Sequence, residues 1–293
     1  MTTLVTGGTG FIGPHVVHAL RSRDEHVRAL VRNPSRATRL TAWGAELATG
    51  DVTDAASLRA ACEGVDTVVH LVSIIKGSRA DFERVMTQGT RDLVAAAQDA
   101  GVRRFVLTSA LGLEETTKDA VPYYAAKWEM EKAVKESGLG HVIFRPSFVF
   151  GRDGGVLPTF ARLARFAPVT PIVGPGTQKF QPIWVEDLAQ YFALAAAGQS
   201  SGTFELGGPE AVTWNEFWAR LKTALGVRRP SIHMPFGVMR VQAAMTEKLP
   251  GAPMTRDQLT MLGLGDNVVT DSRAVETFQL QLTPLDEQLR RAA

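Results

Sequence analysis

The sequence predicts an α/β protein, a doubly wound parallel sheet with helices on both faces, followed by a smaller C-terminal α/β lobe. Three observations lead there. A glycine-rich turn joins a strand-type run to a helical one at the very start of the chain, in Leu4-Val5-Thr6-Gly7-Gly8-Thr9-Gly10-Phe11-Ile12-Gly13. Strand-like and helix-like segments then alternate with short connections up to about residue 150, the pattern that builds a parallel sheet. After Gly151 the pattern changes, and Gly154, Gly155, Pro158, Pro168, Pro171, Gly174, Pro175 and Gly176 crowd together. We therefore expect residues 1–150 to form one domain and 151–293 a smaller lobe woven partly back onto it.

The turn fits two glycine spacings, G-x-G-x-x-G on Gly8, Gly10 and Gly13 and T-G-x-x-G-x-x-G on Gly7, Gly10 and Gly13. Both have one physical reading. One glycine makes the tight turn, one lets backbone N–H groups approach a pyrophosphate, and one lets the helix pack against the strand. The helix from about Ile12 to Ser22 directs its positive end at the phosphates. The stretch predicts the opening of a Rossmann-type dinucleotide-binding domain, the other reading being a glycine turn with no ligand.

Later elements follow in order. Strands are expected at His26–Val31, from Leu47 into the turn at Asp54, at Asp66–Val72, Phe105–Ser109 and His141–Phe144. Helices are expected at Ala55–Cys62, Asp81–Ala100 (with Val85, Leu93, Val94 and Ala97 on one stripe) and Tyr124–Ser137. The second half holds a helix ending near Ala197, a strand at Gly202–Gly207, and a helix from Thr213 whose Glu216 completes a capping box. An apolar helix from Pro235, a loop with Pro250 and Pro253 and a last helix near Pro284–Arg291 close the chain.

The composition is that of an ordinary globular protein, 45% hydrophobic and 21% charged. With 32 basic against 30 acidic residues the charge balance points to neither nucleic acid nor an anionic membrane. The single cysteine, Cys62, forms no internal disulfide and reads as a small buried apolar residue. The first strand begins near Thr3, and no apolar run reaches the ~18 residues of a membrane helix, so a cytoplasmic protein is expected. His15 and His18 lack a third ligand, and no metal site is expected. The aromatic residues Phe160, Phe166, Phe180, Trp184, Phe217, Trp218 and Phe236 read mostly as core, some of them lining an apolar substrate cleft.

The end of the second strand selects the cofactor. An acid there would bond the ribose 2′-hydroxyl, whereas arginine accommodates a 2′-phosphate. The position holds Arg32, Arg36 lies one turn on, and no acid occurs between Glu25 and Glu46, so NADP(H) is preferred, with NAD(H) the alternative. Asp51 and Val52 would flank the adenine, and Leu71, Val72 and Ser73 would lie under the ribose. Tyr123 and Lys127 form a Tyr-x-x-x-Lys pair one helical turn apart. A lysine cation lowers the phenol pKa and prepares the tyrosine for proton transfer coupled to hydride transfer.

Taken together, these segments resemble the extended and atypical branch of the short-chain dehydrogenase/reductase superfamily. The resemblance is carried by Thr6–Gly13, Gly50–Asp54, Tyr123 with Lys127, Arg145–Gly151 and Pro182–Ala189. Leu206–Glu210, the Thr213 helix and Leu249–Gln258 narrow it to bacterial relatives of the complex I alpha-subcomplex subunit 9, an NAD(P)H-binding accessory subunit. The resemblance implies cofactor contacts from Gly7, Thr9, Gly10, Phe11, Ile12, Ser109, Tyr123, Lys127, Pro146, Ser147 and Phe148. It implies catalysis by Tyr123, Lys127 and Ser109. The superfamily's asparagine position holds Met86, and its serine position falls on Ser109 or Ala110. The expectation is thus an oxidoreductase with an incomplete tetrad acting on a carbonyl or alcohol. The alternatives are a non-catalytic NAD(P)H-binding structural or sensor protein of a redox assembly, and a nucleotide-sugar epimerase or dehydratase.

Overall fold

The computed structural model describes residues 1–247 and 254–292. The expected Pro250 and Pro253 loop, and the Leu249–Pro253 part of the later motif, lie outside them. In chain order the first half runs β1 (Thr2–Thr6), α1 (Gly13–Arg21), β2 (His26–Val31), α2 (Thr38–Ala42), β3 (Glu46–Thr49), α3 (Ala55–Cys62), β4 (Thr67–His70), α4 (Arg79–Phe82), α5 (Gly89–Asp99), β5 (Arg104–Thr108), α6 (Pro122–Glu136) and β6 (Gly140–Pro146). It continues with β7 (Val149–Phe150), α7 (Leu157–Phe166), β8 (Thr170–Val173), β9 (Lys179–Phe180), β10 (Ile183–Trp184), α8 (Val185–Ala197), β11 (Gly202–Leu206), β12 (Val212–Thr213) and α9 (Trp214–Ala224). The described chain ends with β13 (Ser231–Met234), α10 (Phe236–Thr246), α11 (Arg256–Leu262), α12 (Arg273–Phe278) and α13 (Leu285–Ala292).

The chain forms two compact units. The first comprises Met1–Pro146, Val185–Glu205 and Asp271–Leu280; the second comprises Ser147–Trp184, Leu206–Thr270 and Gln281–Ala293. A seven-stranded sheet orders its strands β11-β6-β5-β4-β1-β2-β3. Every pairing from β6 across to β3 is parallel. β4 is buried along its whole length, as a strand covered on both faces must be. The order reverses direction between β1 and β4, the switch point at whose carboxyl ends α/β sheets bind ligands.

The long helix expected over Asp81–Ala100 is interrupted. Ser78 and Asp81 cap α4 reciprocally, and residues Glu83–Gln88 then form a wider π-helical turn before α5. The Thr90 hydroxyl donates back to the Met86 carbonyl at 2.6 Å. Met86 is fully buried, whereas Val85 lies at the margin of the core.

The second unit centres on aromatic rings. Phe180 stacks on Trp214 at 4.2 Å between centroids, and Phe217 meets Phe150, Phe160 and Trp218 at 5.5 Å each. Thr213 and Glu216 form the expected capping box at the start of α9. Phe166 departs from expectation and is 75% exposed. The buried positions of α7 are Leu157, Ala161 and Ala164, and Phe166 falls about half a turn away from that stripe. Among the described residues no helix is long and apolar enough to cross a membrane.

The glycine turn gives a stability test. A Cβ on Gly13 would sit 2.3 Å from the Gly7 carbonyl oxygen and 2.5 Å from the Gly8 Cα, whereas one on Gly10 meets only the Gly7 oxygen at 3.2 Å. Gly13→Ala is expected to cost about 1–3 kcal/mol or more by overpacking. Thermal unfolding should show Gly13→Ala well below Gly10→Ala; equal midpoints would mean that the turn relaxes freely.

Candidate cofactor site and active site

β1 delivers the chain to the switch point with Leu4, Val5 and Thr6 buried. Gly7 then adopts φ +78°, a left-handed conformation that glycine alone enters at little cost. Its Cβ position lies 3.0 Å from the backbone of Leu71 and Val72, so the turn presses against the segment leaving β4. Gly13 packs α1 onto the turn. The conformational demands fall on Gly7 and Gly13, which favours the T-G-x-x-G-x-x-G spacing. Thr9 and Gly10 stand exposed at the tip, with Phe11 and Ile12 half-buried behind them. The residue capping α1 is Ile12, which makes no side-chain cap bond. The helix therefore offers uncapped backbone N–H groups beside a glycine cradle, the donor set a pyrophosphate requires.

Arg32 follows β2 directly and Arg36 closes the short turn after it; both are exposed. Arg32 lies 4.0 Å from Asp51 and remains 83% exposed, so this ion pair holds it weakly. Asp51 accepts hydrogen bonds from the N–H and hydroxyl of Thr53, a tight turn that fixes the loop after β3. Val52 is buried, its backbone closing on Gly89.

Tyr123 and Lys127 lie on the first turns of α6. Tyr123 is half-buried, and its hydroxyl is hydrogen-bonded to the Ser73 side chain. Lys127 is fully buried, donates to the Thr108 carbonyl at 2.6 Å and stands 5.8 Å from the centre of the Tyr123 ring. Burial pushes the lysine down to about 7, partly opposed by the charge of Glu131. Burial also raises the Tyr123 phenol, with the Ser73 bond opposing it. The lowering expected from the lysine cation does not prevail at this phenol, which burial raises; the lysine donates to a backbone carbonyl instead. Tyr124 is buried with its hydroxyl on the Leu111 carbonyl at 3.2 Å.

Residues 7–159, just over half of the chain, match the NAD(P)H-binding family, and residues 113–283 match the RmlD substrate binding domain. The chain belongs to the NAD(P)H-binding family. It is 29% identical to the NAD(P)H azoreductase of Xenophilus azovorans over 252 residues, covering 83% of this chain and 80% of that protein. It is 26% identical to the mitochondrial NADH dehydrogenase [ubiquinone] 1 alpha subcomplex subunit 9 of Arabidopsis thaliana, covering 96% of this chain and 73% of that protein. Sterol demethylase protein B of Methylococcus capsulatus is 46% identical over 115 residues, but the match spans only 38% of this chain and 35% of the relative. Among solved structures the fold is shared with the NADPH-dependent quinone oxidoreductase of Escherichia coli complexed with NADPH, at TM-score 0.78 and 23% identity over 98% of each chain. It is shared also with the UDP-glucose 4-epimerase of Thermus thermophilus in complex with NAD, at TM-score 0.77 and 21% identity over 100% of this chain and 97% of that one.

Within this NAD(P)H-binding unit the remaining site residues divide. Ser109 is buried, and its hydroxyl donates to Glu131 at 2.5 Å; Ala110 has no hydroxyl to offer. Pro146 ends β6 in the first unit, while Ser147 and Phe148 open the second. Ser147 donates to the Asn267 side chain at 2.6 Å, and Phe148 packs on Phe180 and Trp214 at 5.2 and 5.5 Å. Cys62 is buried, and burial raises its thiol to about 11. Among the described residues no group of three or more His, Cys, Asp or Glu side chains is placed to hold a metal.

Two features went unread in the sequence. The first is Glu131, four residues beyond Lys127 and 1% exposed. Both of its oxygens accept from Arg145 at 2.7 Å, and it also takes the Ser109 hydroxyl and the Lys135 ammonium. Burial works against its charge, yet these bonds hold its carboxyl below the usual range. The Tyr123, Lys127, Glu131, Lys135 repeat at one-turn spacing was the available signal. The second is His70, fully buried at the end of β4. Because Thr90 donates to Met86, it accepts from His70 Nε2 at 3.0 Å, and Nδ1 accepts the Thr6 hydroxyl at 2.6 Å. Burial, aided by the nearby Lys127 charge, takes this imidazole down to about 3, so it stays neutral and ties β1, β4 and α5 together.

Two measurements follow from this geometry. Lys127 titrates at about 7 when folded against 10.5 in an unfolded chain, so above pH 7 the unfolded state binds more protons. Stability should rise from pH 7 to 9 by up to about 1 kcal/mol per pH unit, and Lys127→Met should flatten the slope in denaturant titrations. Glu131→Ala strands the Arg145 guanidinium beside a buried hydroxyl and should cost about 3–5 kcal/mol, read as a lower urea midpoint. A midpoint unchanged from the parent would show the cluster to be solvated.

Proposed function

We propose that the protein is an NADP(H)-dependent reductase of the atypical short-chain type, acting on a carbonyl substrate. The observation that supports it most directly is the Tyr123–Lys127 pair on α6 with the tyrosine hydroxyl bonded to Ser73, next to the segment that Gly7 touches. The bound dinucleotide would supply hydride. Gly7, Thr9, Gly10, Phe11 and Ile12 would hold its pyrophosphate with backbone N–H groups and the positive end of α1. Leu71 and Val72 would form the floor beneath a ribose, and Asp51 and Val52 would border the adenine. Tyr123 would give its proton to the substrate oxygen. Lys127, close to half-charged at neutral pH, would accept a ribose hydroxyl or hold a proton near the phenol. Pro146, at the end of β6, would border the nicotinamide.

Arg32 and Arg36 support the choice of NADP(H). Both guanidiniums are exposed at the end of β2, and the carboxylate beside Arg32 stands 4.0 Å away. A phosphate dianion offers them bidentate partners that a ribose hydroxyl does not. Relatives fit a reductase: besides the azoreductase, a ceramide reductase of Caulobacter vibrioides is 29% identical over 234 residues.

A second reading has its own support. The buried Met86 and the commitment of Ser109 to Glu131 remove two groups a turnover site would use. With the Arabidopsis subunit matching 96% of this chain, they favour an NAD(P)H-binding accessory role in a larger redox assembly.

Calorimetric titration of cofactor-free protein with NADPH and NADH, beside Arg32→Ala, tests the cofactor. Tight NADPH and weak NADH binding, with the preference reduced roughly tenfold or more in the variant, is expected for a lost charge-assisted pair of about 1.5–3 kcal/mol. Equal binding of both dinucleotides would remove the argument from Arg32.

A further inference from the structure

We propose that Ser73 supplies the second hydroxyl of the reducing site, in the role that Ser109 is not free to fill. The inference rests on the reductase reading above. Ser109 is 2% exposed and its hydroxyl is spent on Glu131, which four donors surround. Freeing that hydroxyl would take a hydrogen bond from a buried carboxylate, a costly exchange. Ala110 offers none.

Ser73 has the opposite surroundings. It lies just beyond the carboxyl end of β4, two residues after Leu71, whose backbone Gly7 touches. Its side chain is exposed and its hydroxyl bonds the Tyr123 phenol oxygen. Two hydroxyls within hydrogen-bond distance of each other form a fork. A carbonyl oxygen that accepts from Tyr123 comes within reach of Ser73 as well.

The chemistry balances with a reduced nicotinamide dinucleotide as the reductant. The carbonyl carbon receives hydride with its electron pair, and the C=O π pair moves to oxygen. That oxygen takes the Tyr123 proton, so the products are the alcohol, a tyrosinate and the oxidised dinucleotide. Ser73 keeps its proton throughout. It hydrogen-bonds the oxygen as negative charge develops there, and afterwards bonds the tyrosinate.

The test uses the whole chain with 13C-labelled tyrosine. There are three tyrosines, so Tyr123→Phe assigns the Tyr123 resonance directly. In cofactor-free protein Ser73→Ala should shift that resonance and raise its alkaline midpoint, because the Ser73 bond favours the phenolate. Ser73→Thr should restore both, and Ser109→Ala should leave the midpoint where it was. With saturating NADPH and a panel of aldehydes, ketones and quinones, Ser73→Ala should lower kcat by about 10²-fold, the loss typical of one oxyanion donor. A Tyr123 resonance indifferent to Ser73→Ala, or a parental kcat in that variant, overturns the inference and leaves the reductase reading standing. NADPH binding without reduction of any carbonyl by the parent protein overturns both.

Discussion

The contact between the Gly7 turn and the strand leaving β4 is the constraint on which the dinucleotide-binding unit depends. Two parallel strands must end side by side, and the chain leaving one must turn back within van der Waals distance of the other. At Gly7 there is no room for a Cβ pointing at Leu71 and Val72, and the backbone is left-handed besides. At Gly13 the helix begins so close to the turn that a methyl group would meet a carbonyl. Those two requirements aim α1 at the space beyond the strand ends. Everything a ligand would meet there follows from the same closure: exposed Thr9 and Gly10, the uncapped amides of α1, and Ser73.

A second constraint acts from beneath. The four groups Tyr123, Lys127, Glu131 and Lys135 climb α6 at one-turn intervals, but their environments differ sharply. Lys127 and Glu131 are buried, and burial alone would neutralise both. The outcomes separate because their partners differ. Glu131 has a guanidinium, an ammonium and a hydroxyl, enough to keep it ionised. Lys127 has chiefly a backbone carbonyl, so its proton is held loosely near neutrality. A fixed charge thus anchors the helix, and a titratable group lies one turn closer to the tyrosine. The neutral His70 is consistent with that arrangement, since a cation there would oppose Lys127 directly.

Much of this was legible from the chain alone, for identifiable reasons. The strand ends and the glycine turn carry short-range signals: apolar runs, fixed glycine spacing and a helix that follows at once. β2 and α3 begin and end where the pattern placed them. The π-helical turn was not legible. Hydrophobic periodicity does not separate a six-residue π turn from the regular helix on either side of it. Phe166 misled because composition says aromatic while phase around α7 says solvent. The destination of the Ser109 hydroxyl was hidden for a different reason. Ser109 and Glu131 are 22 residues apart in sequence, and they meet only because α6 packs on β5.

The two halves of the site differ in how much they demand. Holding a dinucleotide uses backbone N–H groups, a helix terminus and a few glycines, all consequences of the fold. Those groups survive changes of side chain around them. Turnover asks more, because a hydroxyl must face the reacting oxygen, and each misplaced donor removes a term worth about 2.7–4 kcal/mol. In this chain the buried serine faces a carboxylate and an exposed one faces the tyrosine. Glu131 explains the division. An ionised carboxylate in the interior must collect donors, and Ser109 is among the nearest. The same carboxylate that stabilises α6 therefore withdraws one hydroxyl from chemistry, while Ser73, in the loop after β4, stays exposed beside the tyrosine.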